Sequence, residues 1–285
     1  MSPNPKEARH NFMPDPIPSS AAEADEFRRL EREWQNTVGK DLLDVPWQQA
    51  GAKHVFERQF QRIAACMDLE SPGTIVEIGC GKGHLLEWLQ KQAGSRGPRL
   101  VGIDVSEAVA GAKEKGLLGF RADGEFLPLR NESVRTLIYD GALHHLIDFE
   151  AGLRDAYRTL EPGGSFVLFE PVSSPFSRLV HHVLDPIVFK KVVYESPIDQ
   201  HYKDYFEESR VLDTLRALDM ELSFRRTDFL AYPLTGCYAG SAFGRSPSLM
   251  RFLLRVERTV ESVPPLRWLA EVVSWRFLIV ATKRK

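Results

Sequence analysis

Apolar residues recur every third or fourth position at two places early in the chain: Phe27, Leu30 and Trp34, then Phe56, Phe60, Ile63 and Met67. Such spacing lines one face of a helix. It predicts a first helix entered at Ser19 or Ser20, whose hydroxyls suit an N-cap, and a second over roughly 47–67. From Gly73 the rhythm changes. Short apolar runs at 74–78, 100–103, 117–122, 134–139 and 165–169 read as strands. Between them lie helical stripes: Leu85, Leu86 and Leu89, then 107–115 behind the cap Ser106, then Phe149, Leu153 and Ala156 behind the cap Asp148. Strands alternating with helices predict a parallel sheet covered on both faces. Farther on, 207–218 reads as a helix and 222–231 as a strand. Leu249, Leu253, Val256 and Val260 form the stripe of a helix opened by Ser246-Pro247 and stopped by Pro264-Pro265, and 275–281 is the last strand.

Composition narrows the class. A hydrophobic share of 43% and a charged share of 27% are those of a soluble globular chain. A net charge of −2 argues against a nucleic-acid partner, whose footprint is strongly basic. No run approaches the roughly 18 apolar residues that span a bilayer. Cys66, Cys80 and Cys237 are odd in number and far apart, which gives neither a disulfide framework nor a metal knuckle. Residues 1–20 carry five prolines and little apolar content, so they read as a disordered leader without the apolar segment of a secretory signal. The expected location is therefore the cytoplasm, with no metal. The expected layout is the leader, N-terminal helices at 21–70, a ligand-binding core at 71–170, a cap at 171–205 and a C-terminal part at 206–285.

In parallel sheets of this kind the ligand sits outside the carboxyl ends of the strands. Gly79 to Gly83, Asp104, Asp123 and the stretch 140–145 all fall there. A glycine-rich turn between strand and helix lets a ligand approach the backbone. A nicotinamide fingerprint needs a third glycine where His84 stands, and a phosphate loop needs Ser or Thr after Lys82 where Gly83 stands. Instead an acid, Glu77, lies two residues before Gly79.

That string, with Val101-Gly102-Ile103-Asp104, Ala122-Asp123-Gly124, Ala142-Leu143-His144-His145-Leu146 and Leu160-Glu161-Pro162-Gly163-Gly164, resembles class I S-adenosylmethionine-dependent methyltransferases. The likeness is to the type 11 group, related to the ubiquinone/menaquinone methyltransferases. It implies an α/β, Rossmann-like fold: a mostly parallel seven-stranded sheet with helices on both faces, N-terminal helices as a lid, and a cap insertion. It also implies S-adenosylmethionine as cofactor and S-adenosylhomocysteine as product. Glu77 would meet the cofactor ammonium, and Gly79, Cys80, Gly81 and Gly83 its methionine part. Asp104 would take the ribose hydroxyls beside Val105, and Asp123 the adenine amino group beside Gly124, with Asp140 completing the set. For each carboxylate the alternative is a capped turn, and for Cys80 a loop filler. One departure is Arg135, in a strand where many relatives carry an acid.

Methyl transfer needs aligned, dry reactants, and a base only where the acceptor must lose a proton. His144 and His145 follow the fourth strand. Adjacent residues do not easily face one pocket, so His145 is placed ahead of His144 as that base, against a packing role for the pair. Tyr194, His201, Tyr202 and Tyr205 are the polar candidates for an acceptor pocket, with His181 and His182 nearby. Leu249, Phe252, Leu253, Leu254, Leu266, Trp268 and Trp275 read first as core, with a wall for a lipophilic acceptor or a homodimer face as alternatives. The favoured function is methylation of a small-molecule acceptor such as a specialised metabolite. The alternatives are a cyclisation or rearrangement assisted by the bound sulfonium, and an inactive scaffold that binds a protein.

Overall fold

In the computed structural model, which describes residues 21–172, 206–236 and 240–285, the chain enters through helix α1 (Ala21–Trp34) and one π-helical turn (Gln35–Gly39). Two short helices, α2 (Lys40–Leu42) and α3 (Val45–Gln48), lead to α4 (Ala52–Ala64). The alternating core follows as β1 (Thr74–Ile78), α5 (His84–Gln92), β2 (Arg99–Asp104), α6 (Val109–Glu114), β3 (Leu118–Arg121), β4 (Val134–Asp140), α7 (Phe149–Thr159) and β5 (Leu160–Pro171). The C-terminal part holds α8 (Glu208–Ala217), β6 (Met220–Thr227), α9 (Ala231–Leu234), α10 (Pro247–Ser262), α11 (Pro264–Val272) and β7 (Arg276–Lys283).

The seven strands make one sheet in the order β3-β2-β1-β4-β5-β7-β6. β1 to β5 run parallel, and β7 lies antiparallel between β5 and β6. This is the predicted fold. Side chains alternate across the pleat, so Leu137 and Tyr139 enter one core layer while Ile138 enters the other, and all three are fully buried. The parallel strands put their carboxyl ends on one rim.

Several expected boundaries shift. The helix expected over 47–67 is broken, because Gln49 is extended and the 240–246 loop fills the gap. There the Ala52 N–H donates to the Gly244 carbonyl at 2.7 Å and Gln49 Oε1 accepts the Ser241 N–H at 3.1 Å. Ser106 is not the cap of α6, which begins at Val109; its hydroxyl donates to Asp104 Oδ1 at 2.6 Å. β6 runs from Met220 to Thr227, and Ala231, expected as the strand's last residue, opens a short helix instead. Pro264 and Pro265 stop α10 and also open α11, since proline suits the first helical turn. Arg135 donates to the carbonyls of Ser71 (2.9 Å) and Pro72 (2.8 Å), tying down the loop before β1 at the amino ends of the strands, opposite the rim. The core reading of the C-terminal apolar residues holds only in part. Leu253, Leu254 and Trp275 are buried, whereas Phe252, Leu266 and Trp268 are exposed. Among the described residues no helix is long and apolar enough to cross a membrane.

Candidate active site

The turn after β1 has Gly79, Gly81 and Gly83 at φ of +72°, +50° and +71°, a region costly for side chains with a Cβ. A Cβ on Gly79 would sit 2.4 Å from the Ala142 Cβ, so the 141–146 turn can close over the loop only because that position is bare. The loop N–H groups point inward. Those of Gly79 and Cys80 donate to the Ile103 carbonyl (2.8 and 3.1 Å), and that of Gly81 donates to Asp104 Oδ2 (2.7 Å). The loop therefore offers close approach rather than a ring of donors. Cys80 is buried beneath it, and burial pushes its thiol well above the usual range, which fits a loop filler.

Four carboxylates stand on this rim. Glu77 is buried, and its Oε2 has no hydrogen-bond partner. Burial, then the neighbouring charges of Asp140 and Asp104, raise its carboxyl well above the ordinary value. Asp104 takes the N–H and hydroxyl of Ser106 on Oδ1 and the Gly81 N–H on Oδ2, leaving one lone-pair direction on Oδ2. Asp123 Oδ1 accepts the Glu125 N–H at 2.9 Å, and Gly124 packs beneath Leu146. Asp140 accepts a short hydrogen bond from Gln59, whose amide oxygen accepts from Arg276. Burial drives the Asp140 carboxyl up to about 7 despite the attraction of Arg276.

Both histidines line the cavity at this rim, so the expectation that only one faces it is corrected. They share a single 3-10 turn with ring centres 4.2 Å apart, and each meets a different wall. His144 Nδ1 lies 2.7 Å from Glu170 Oε2, and His145 Nδ1 lies 3.1 Å from Glu31 Oε1. Glu170 and Glu31 escaped sequence reasoning. Glu170 is the next-to-last residue of β5, just past the expected strand and at the same rim; Glu31 comes from α1 and carries no local signal.

The N-terminal helices close the space above. Arg28 of α1 pairs with Glu125 at 2.6 Å beside Asp123, and Asp44 joins Lys82 and His84 of the loop. Between roof and rim lies a cavity of about 370 Å3, lined by Glu77, Gly79, Asp104, Val105, Asp123 and Asp140 and roofed by Trp34, Leu43, Trp47, Phe56 and Phe60. That volume lies within the roughly 300–1,000 Å3 of small-molecule sites. Tyr194, His201, Tyr202, Tyr205, His181, His182 and Cys237 lie outside the described residues, as do Ser19 and Ser20. Among the described residues no His, Cys, Asp and Glu group could hold a metal ion.

A family model described as a methyltransferase domain matches residues 76–168, the stretch that runs from the end of β1 through the glycine loop and the histidine turn. Over that stretch the chain is similar to the class I S-adenosylmethionine-dependent methyltransferases of the type 11 group. Carboxy-S-adenosyl-L-methionine synthase of Wolinella succinogenes is 28% identical over 124 residues, 40% of this chain. The match spans only 50% of that relative. Ubiquinone/menaquinone biosynthesis C-methyltransferase UbiE of Escherichia coli is 24% identical over 186 residues, 60% of this chain and 72% of UbiE. Among solved structures, the cyclase SpnF superposes with a TM-score of 0.53 at 16% identity, over 82% of this chain and 83% of that one. That likeness is one of fold.

The cofactor of that family is S-adenosylmethionine, and the cavity fits it. A buried carboxylate oxygen without a partner, Glu77 Oε2, suits a cation, and the glycine loop beside it lines the same cavity.

Proposed function

We propose that this chain transfers a methyl group to a small lipophilic acceptor, of the specialised-metabolite kind, held inside the cavity. The observation that carries the reading is Glu77, an unsatisfied buried carboxylate at the foot of a glycine loop that opens on a cofactor-sized space. A buried anion without a partner is costly, so the pocket is built for a cation. Glu77 would meet the ammonium of the cofactor. Asp104 would take the ribose hydroxyls on its remaining lone pair beside Val105, and Asp123 and Gly124 would flank the adenine. When bound, the cofactor supplies an electrophilic methyl carbon on a sulfonium.

The chain supplies position and dryness, which can account for most of the catalysis in a displacement. Trp34, Leu43, Trp47, Phe56 and Phe60 exclude water from the roof, and with them the N-terminal helices act as a lid. Their apolar surface is the support for a lipophilic acceptor. His144, held by Glu170, and His145, held by Glu31, stand where a proton leaving an acceptor hydroxyl or acidic carbon could be taken.

Calorimetric titration with S-adenosylmethionine and S-adenosylhomocysteine tests the first half. Binding of both, weakened at least tenfold by Glu77→Ala, is expected. Release of S-adenosylhomocysteine with lipophilic hydroxylated acceptors tests the second half. A well-folded chain that binds neither ligand overturns the proposal, and binding with turnover only on a macromolecular acceptor overturns the small-molecule part.

A further inference from the structure

Helix α11 is apolar, yet only Ala270 of its nine residues is buried. Every residue from Val263 to Leu269 is exposed, with Trp268 at 66% and Leu269 at 55%, and Phe252 of the neighbouring α10 stands at 59%. An apolar helix of this kind ordinarily turns its greasy side inward, and a contiguous exposed apolar patch marks a contact surface.

The charges around the patch say what kind of contact. Arg251, Arg255 and Arg258 lie four and three residues apart on the outer face of α10, all exposed, and Arg267 is exposed on α11. Among the described residues neither Arg255 nor Arg258 is in an ion pair, while Arg267 meets Glu271 only at 3.8 Å. The acids of α10 turn the other way. Glu257 pairs with Arg58 at 2.6 Å, and Glu261 with Arg58 and Arg62 at 2.7 and 2.5 Å, pinning the helix to α4. Helix α10 thus sorts its charges, anions inward and cations outward, in a chain whose net charge is −2. Glu257 and Glu261 are spent on the interior, so among the described residues Arg255 and Arg258 meet no acid.

We propose that the α10–α11 face is a docking surface for an anionic lipid membrane, with Trp268, Leu269, Leu266 and Phe252 entering the headgroup boundary and Arg251, Arg255, Arg258 and Arg267 meeting lipid phosphates. Exposed Trp, Leu and Phe flanked by arginine are what an interfacial helix needs, and an anionic leaflet is the complementary charge. The surface is also well placed for a lipophilic cargo. α10 is clamped to α4, and α4 carries Phe56, Gln59 and Phe60 in the cavity wall.

Co-sedimentation of the full chain with vesicles of phosphatidylglycerol and phosphatidylcholine, against vesicles of phosphatidylcholine alone, tests this. Binding to the anionic vesicles is expected, with a partition coefficient lowered roughly tenfold or more by Arg255→Glu with Arg258→Glu, by Trp268→Ser with Leu269→Ser, and by about 0.5 M salt. These side chains are exposed, so unfolding is not expected, and thermal melts check that. A second readout needs no destabilised variant: brominated lipid should quench the parent protein more than Trp268→Phe. No binding to anionic vesicles overturns the proposal, as does equal binding to neutral ones. So does concentration-dependent dimerisation abolished by Trp268→Ser, which would make the face a contact between copies of this chain.

Discussion

His144 is held by Glu170 through a 2.7 Å hydrogen bond to its Nδ1, inside a carboxylate that is itself fully buried. The other oxygen, Oε1, accepts the N–H groups of Ala142 (3.0 Å) and Leu143 (2.7 Å). One side chain therefore anchors both the imidazole and the backbone of the turn that packs on Gly79. Replacing Glu170 by Ala leaves two buried N–H groups and a ring nitrogen without their acceptor, each at a cost of about 1–3 kcal/mol before relaxation. Glu170→Ala should lower stability by about 3 kcal/mol in urea unfolding, and Glu170→Gln, which keeps one carbonyl acceptor, should recover at least half. Equal losses for the two variants would show that the carboxylate acts by bulk alone.

The glycine loop allows a paired comparison. Gly83 and Gly141 have φ of +71° and +66°, so alanine carries similar backbone strain at both. At Gly83 the added Cβ would also lie 2.8 Å from the Ala112 Cβ and 3.2 Å from its Cα, whereas at Gly141 it meets nothing within 4 Å. Gly141→Ala should therefore cost only about 1–2 kcal/mol, the strain of a left-handed non-glycine residue. Gly83→Ala should cost clearly more and weaken S-adenosylmethionine binding as α5 is pushed away. Thermal melts and calorimetry on the two variants check the order, and a Gly141 variant as damaged as the Gly83 one would contradict it.

These residues also mark what was legible in advance. The rim of glycines and aspartates follows from local patterns, because strand ends and turn residues declare themselves within a few positions and the parallel topology then gathers them. Long-range polar partners do not. Gln59 reaches Asp140 across 81 positions and Arg276 across 217, and nothing in either neighbourhood specifies the meeting. Both histidines line the cavity for a related reason. The cavity wraps around the turn, with α1 on one side and β5 on the other, so neighbouring side chains can both line it. In α11 the periodicity shows an apolar helix but not whether anything covers it, and the two prolines that open it set its start outside the core.

Glu77 gives the cofactor site a proton signature. Its carboxyl is raised in the free protein by burial and by Asp140 and Asp104, so it holds a proton at pH values where an ordinary glutamate is ionised. A cation bound against it favours the charged form. Binding of S-adenosylmethionine near pH 6 should release a fraction of a proton, seen as a dependence of the calorimetric enthalpy on buffer ionisation heat. The release should disappear in Glu77→Gln. Buffer-independent enthalpies in the parent protein would place the ammonium elsewhere.

Asp140 sets a dependence of stability on pH with an unusual sign. Its carboxyl is driven up to about 7, first by burial and then by Glu170 and Asp228, against the pull of Arg276 and Gln59. In the unfolded chain it would titrate near the ordinary value of about 4. Between these values the native state holds a proton that the unfolded state has lost, so stability falls as pH rises across the window. Below about 4 both states are protonated and the contribution is constant; above about 7 the penalty is complete. Asp140→Asn keeps an oxygen for the Gln59 amide but cannot ionise, so the penalty should vanish. Melting temperatures from pH 5 to 8 should then show the variant gaining on its parent as pH rises, most steeply between 5 and 7. Parallel curves would mean that Arg276 keeps Asp140 ionised throughout, and the Gln59 bridge would then join two full charges.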